Sequence, residues 1–257
     1  MIFSGNLIKE SINISISAMA GRSLVLILVV ILGLISCKAE KPQAPKKVAP
    51  VVIVKPKPPL LDQDQRAELG FPPEILSQIE LAAGAEAEPF FMTIIIPSEN
   101  LKGEIGIEKN RLAGFSVRTK NADEIISTFR PSLRANGYLL FRSHKGYGTL
   151  PDIVTVIKGN NTYDILKIQG TEAPNYHMDT NEIITWLKEQ QKQASFVITG
   201  AGTDWIEARF IKPPTNMQSF ARIVRSFAPD VIDPETGTVD KLAERMKKMN
   251  GFYLKWD

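Results

Sequence analysis

Between Lys38 and Pro59 the chain carries six prolines and six lysines, and this run decides where a fold can begin. Proline removes the backbone donor that helix interiors and central strands need, and it favours extended polyproline geometry. The run therefore reads as a semi-rigid spacer, extending about 3.1 Å per residue. Val51–Val54 is too short and too proline-flanked to form a strand alone. Any packed core has to come from residues 60–257. The spacer's net charge is +5 and residues 1–37 add +1, so the chain's formal +3 leaves residues 60–257 at −3. A mildly acidic body argues against nucleic acid as a partner. The spacer lysines either meet anionic headgroups or keep the spacer soluble.

Upstream of the spacer, Leu24–Ile35 reads LVLILVVILGLI after Arg22. Twelve apolar residues are short for a membrane span and suit a signal-peptide core. The core runs into Leu34-Ile35-Ser36-Cys37, which resembles a bacterial lipoprotein signal. That resemblance implies cleavage before Cys37 and diacylation of its thiol. The alternative is a plain anchor helix with an incidental cysteine. Residues 1–36 are expected to be the signal peptide, with Met19 as its true start, and residues 37–59 the lipid-anchored linker. The expected partner is the membrane, through lipid on Cys37. Lys38 stands where an aspartate holds enteric lipoproteins in the inner membrane. The expected location is therefore the outer membrane, facing the periplasm.

Residues 60–257 alternate between two periodicities. Helices are predicted over Asp62–Leu69, from Pro73 to near Gly84, from Asn121 to Gly137, from Thr162 to Gln169, from Asp179 or Thr180 onward, over Asn216–Phe227 and over Thr238–Asn250. Pro131 weakens the third of these. Strands are predicted at Phe90–Ile96, Phe115–Arg118, Tyr138–Phe141, Ile153–Ile157, Phe196–Thr199, Trp205–Ile211 and Phe252–Trp256. The uninterrupted apolar run at Phe90–Ile96 suggests a buried strand. Residues 98–113 fit neither pattern. The order gives an α+β fold, a largely antiparallel sheet with helices packed on one face. Asp123-Glu-Ile-Ile-Ser127 recurs 58 positions later as Asn181-Glu-Ile-Ile-Thr185, and Tyr138-Leu-Leu140 as Phe196-Val-Ile198. A worn internal duplication would produce this, and so would chance helix patterning.

One cysteine excludes an internal disulfide framework and cysteine-rich zinc sites. With two histidines, a transition-metal site would have to lean on carboxylates. No metal and no cofactor is expected. Gly200-Ala201-Gly202 is not a dinucleotide fingerprint, because Trp205 stands where the third glycine belongs and no helix start follows. It reads instead as a strand-to-strand turn. Asp233–Gly237 lacks the alternating ligands of a calcium loop and reads as a turn before a helix. His144 lies in a Gly-rich segment. His177 would need an orienting partner to act as a base, and nearby Asp179 is better used as a helix cap.

The stretch from Gly170 to Thr180 concentrates what remains: Asn175-Tyr176 after Pro174, then His177, then the Asp179-Thr180 helix start. Together with Tyr163-Asp164-Ile165-Leu166, Gly170-Thr171, Pro229-Asp230 and the closing Leu254-Lys255-Trp256-Asp257, it resembles a bacterial family defined as domain of unknown function 4253. The resemblance covers about residues 163–257. Two positions depart from that family: Ala228 stands where it tends to carry cysteine, and Lys255 replaces the first closing tryptophan. The resemblance implies a fold and a site location, and no reaction. The candidate ligand or loop-anchoring residues are Asn175, Tyr176, Asp230, Trp256 and Asp257. The leading expectation is an envelope lipoprotein whose domain binds an unknown protein or small molecule. The alternatives are a hydrolase-like enzyme using this loop with Asp230, and an immunity-type toxin-neutralising protein.

Overall fold

The computed structural model describes residues 60–97, 106–232 and 237–257, all within the unit Lys55–Asp257. Residues 1–59, among them the expected signal segment, Cys37 and the spacer, lie outside the described residues, as do 98–105 and Asp233–Thr236. The elements are α1 (Gln63–Leu69), α2 (Pro73–Ala83), β1 (Glu88–Pro97), β2 (Gly106–Thr119), α3 (Ala122–Ala135), β3 (Tyr138–His144), β4 (Asp152–Lys158), α4 (Asp164–Gln169), α5 (Thr180–Gln190), β5 (Ser195–Ala201), β6 (Trp205–Lys212), α6 (Met217–Phe227), α7 (Val239–Met249) and β7 (Gly251–Lys255). Short 3-10 turns occupy Pro174–Tyr176 and Pro229–Val231.

Local chemistry accounts for most of these boundaries. Asp62 and Gln65 close a capping box on α1, and Asp179 and Glu182 close another on α5. Asn216 and Thr238 cap α6 and α7 through their side chains. Gly84 and Gly170 end α2 and α4 in the left-handed conformation. Asn121 makes no side-chain cap; its own N–H donates to the Thr119 hydroxyl. α3 runs through Pro131, which lies on the exposed side of the helix.

One seven-stranded sheet results, in the order β1-β2-β4-β3-β5-β6-β7. Every neighbouring pair is antiparallel except β3 with β5 at the centre. The α+β class and the largely antiparallel sheet are as the sequence implies. The helices divide between the faces rather than sharing one. Leu140, Val154 and Val156 pack with Ile125, Ile126 and Leu133 of α3 and with α1 and α2. Leu139, Phe141 and Ile157, on the opposite pleat, pack with α4, α5, α6 and α7. Side chains alternate across a strand, so β3 and β4 serve two cores at once. The expectation of one face failed because a central strand with apolar residues on both pleats reads the same whichever side each helix takes.

Two further differences concern β1 and β2. β1 is an edge strand with Phe91 exposed, not a buried one. An apolar run alone does not reveal where a strand sits in a sheet. Residues 106–112, ambiguous in sequence, extend β2 and pair with β1 alone.

The 58-residue offset carries into the sheet. The one registered pair between β3 and β5 is Arg142 opposite Gly200, which are also 58 positions apart. On either side of it, helix, strand and strand follow in the same order: α3-β3-β4 on one side, α5-β5-β6 on the other. α3 and α5 lie on opposite faces. A two-fold rotation along the strands would relate these halves.

Candidate functional site

The Gly170–Thr180 stretch is held from both ends. Thr171 is buried and donates its hydroxyl to the Gly202 carbonyl at 2.7 Å. Glu172 N–H donates to the Thr203 carbonyl, and Ala173 and Met178 pair main chain to main chain. His177 takes a left-handed backbone (φ 55°) at the end of the 3-10 turn. The Asp179 carboxylate accepts from Glu182 N–H as a cap. His177 therefore has no orienting carboxylate at Asp179, which agrees with the sequence reading.

The structure brings Asn175, Tyr176, Asp230, Trp256 and Asp257 together. Asn175 donates its amide to the Asp257 carbonyl at 2.7 Å. Tyr176 donates its hydroxyl to Asp230 Oδ2 at 2.8 Å, and Asp257 N–H donates to the same oxygen at 2.8 Å. Trp256 is buried, donates its indole N–H to the Phe227 carbonyl at 3.3 Å and sets its ring edge-on to Phe227. The hydrogen bond to Asp230, with burial and the charges of Asp230 and Asp257, pushes the Tyr176 phenol above its ordinary range. These polar groups are spent on one another and on main chain. They form a clasp that fastens the loop and the turn at Asp230 to the end of the chain. Cys37 lies outside the described residues.

Gly202 has a second reason to be glycine. A Cβ there would overlap the Trp205 indole, which lies across the turn. Gly202 thus serves the turn and the ring laid over it, and Gly200, within β5, lies under the same ring.

A larger concentration of charge lies on the α3 face of the sheet, and sequence reasoning missed it. Arg142 and Glu207 are 3% and 2% exposed. Arg142 donates to Glu207 Oε2 at 2.5 Å and to Asp123 Oδ1 at 2.8 Å. Its Nε lies 2.9 Å from Asp152 Oδ2, although the N–H is not aligned for a hydrogen bond. Arg209 reaches Asp123 at 3.3 Å and Glu207 at 3.4 Å, and donates to the Met249 carbonyl. Burial alone would lower the Arg142 pKa; Glu207, Asp123 and Asp152 outweigh it and raise it. Burial alone would raise that of Asp123; the hydrogen bond and charge of Arg142, with Arg209 and Lys145, outweigh it and hold the carboxyl below its usual range. The network ties α3, β3, the start of β4 and β6 together across the parallel seam.

Lys145 borders this network. Its ammonium lies 3.8 Å from Glu207 and 4.7 Å from the centre of the Tyr253 ring. Burial pulls its pKa down, Glu207 opposes this, and Arg142 and Arg245 add to it, for a net lowering. Tyr253 is half-buried and hydrogen-bonded to Tyr147 at 3.2 Å, and burial, then that hydrogen bond, pushes its phenol well above the ordinary range. The usable sequence signal was a charged residue inside an otherwise apolar strand: Arg142 in YLLFRSH and Glu207 in WIEARFIK.

Beside the network a cleft of about 630 Å³ opens between α3 and strands β5 and β6. Ile126, Val197 and Ile211 give it apolar walls, while Asp123, Thr199, Glu207 and Arg209 bring the network to its edge. Arg130 stands on the α3 wall. The volume falls within the range of small-molecule sites, about 300–1,000 Å³. Among the described residues, no group of three or more His, Cys, Asp or Glu is placed to hold a metal ion. No helix among them is long and apolar enough to cross a membrane.

No curated protein and no solved structure matches the chain. The family comparison falls on the part that carries most of β4, the loop, Glu207 and the whole clasp: residues 153–257 match the family described as Domain of unknown function (DUF4253).

Proposed function

We propose that the chain is a cell-envelope lipoprotein whose folded body is a binding module, with its ligand taken into the cleft between α3 and strands β5 and β6. The cleft carries this reading. It combines apolar walls with a few fixed polar groups, the pattern of small-molecule sites. The hydrolase-like alternative draws no support from the loop, whose Tyr176 and Asp230 are engaged with each other. The membrane side of the proposal rests on the Arg22 flank, the Leu24–Ile35 core and Leu34-Ile35-Ser36-Cys37. Lipid chains contribute about 0.8 kcal/mol per buried methylene, so two or three anchor firmly. Lys38 favours the outer membrane, with the body facing the periplasm.

Two experiments test the two parts. Cys37→Ser should leave unprocessed precursor and abolish acyl labelling; normal processing in that variant would remove the lipoprotein reading. For the cleft, native mass spectrometry of the full chain from envelope extracts should show a bound small molecule. Ser127→Trp, which fills the cleft from α3, should abolish it. Equal occupancy in that variant would place binding elsewhere.

A further inference from the structure

We infer that this cleft takes small organic anions, molecules with an apolar body and one carboxylate or phosphate group that Arg130 binds. The inference rests on reading the cleft as the ligand site. It starts from which polar groups of the lining are already engaged. Thr199 and Glu207 are joined to each other, and Glu207 also to Arg142. Arg209 is held by Asp123, Glu207 and the Met249 carbonyl. Asn250 donates its amide to the Phe210 carbonyl. Asp123 is neutralised by Arg142 and Arg209. Ser127 donates its hydroxyl to the Glu124 carbonyl, and the Glu124 side chain is exposed.

Arg130 is the exception. It is half-buried on the cleft wall, and among the described residues it has no carboxylate partner and no hydrogen-bond acceptor. The charge that faces it is Arg134, one turn along the same helix. Burial first, then Arg134, pulls its pKa down, yet a guanidinium stays charged in a protein. A partly desolvated cation without a partner is costly. A carboxylate or phosphate would relieve that cost with two parallel hydrogen bonds.

The rest of the cleft limits the ligand further. Ile126, Val197 and Ile211 line the same cleft with apolar surface, and Ile211 is 68% exposed. That surface suits an apolar body. Glu124, at the other end of the α3 wall, disfavours a second negative group. The selected ligand is therefore an anion at one end only.

Isothermal titration calorimetry on the full chain in phosphatidylcholine nanodiscs, with empty discs as baseline, tests this with three probes of one shape. These are naphthylacetate, naphthylethanol and naphthylethylamine. Naphthylacetate should bind saturably and at least about tenfold more tightly than the alcohol, since a hydrogen bond between two charged groups is stronger than one to a neutral hydroxyl. The amine should bind most weakly. Arg130→Gln should bring naphthylacetate down to the level of the alcohol and leave the alcohol unchanged, while Arg130→Lys should keep part of the preference. An unaltered melting temperature would show that the variants are folded. If Arg130→Gln unfolds, the Arg130→Lys variant and the probe series on the native chain decide. Acid and alcohol binding equally, with no effect of Arg130→Gln, would overturn the anion inference and leave the cleft reading standing. Failure of all three probes, or binding unchanged in Ser127→Trp, would overturn both.

Discussion

Two polar centres of this molecule use similar groups to different ends. The clasp at Asn175, Tyr176, Asp230 and Asp257 lies near water and closes the end of the chain onto a loop. The Arg142–Glu207 network lies inside the sheet and closes one half of the fold onto the other. In the clasp a lost hydrogen bond is largely replaced by water. In the network a lost partner leaves a buried charge with only longer, weaker contacts. The difference teaches that a conspicuous sequence motif and an energetically decisive cluster need not coincide.

The largest expected effect is at Arg142. Arg142→Met should cost about 3–5 kcal/mol in denaturant unfolding, because it removes the nearest partner of buried Glu207 and leaves it only the longer contacts to Arg209 and Lys145. A loss below about 1 kcal/mol would erase the contrast between the two centres. The double variant Arg142→Met with Glu207→Met sharpens the same point. It removes that buried charge as well, so the pair should show a coupling of about 1–3 kcal/mol against the sum of the singles. Simple additivity would mean that the two groups do not act as a unit.

Acid should find the network as well. Asp123 is held below its usual range when folded, so its contribution is complete above the unfolded aspartate's pKa. It is lost as pH falls through the lower folded value. Asp123→Asn should therefore flatten the acid limb of the stability profile while leaving its shape near neutrality unaltered. An unchanged acid limb would show that Asp123 is not held by these cations.

The clasp should respond more weakly. Asn175→Ala should cost about 0.5–1.5 kcal/mol, the net value of an ordinary hydrogen bond. Tyr176→Phe should lower the unfolding midpoint in the same direction. Neutral or stabilising outcomes for both would instead mark the clasp as a strained site, since functional sites often trade stability for activity. The smallest effect belongs to Lys255→Gln, which breaks an exposed ion pair with Asp257. A change above about 1 kcal/mol there would be out of line with surface pairs of this kind.

The sequence by itself determined most of the elements and several of their ends. Asp62, Asp179, Asn216 and Thr238 act through neighbours three residues away, so their work is legible in a short window. It also implied the class of the fold, and it singled out Asn175, Tyr176, Asp230, Trp256 and Asp257 as candidates through a family resemblance, but their contacts with one another come from the tertiary structure. Tertiary structure alone decided the rest. β1 and β3 both read as apolar runs, yet one is an edge and the other serves two cores, because position in a sheet depends on partners distant in the chain. Arg142 and Glu207 are 65 residues apart, and each alone looks like a stray charge in a strand. Only the parallel seam between β3 and β5 puts them in contact, and only burial turns that contact into one the fold cannot lose. Arg130 is the same case inverted: its sequence position is an ordinary helix site, and what sets it apart is the missing partner in the folded cleft.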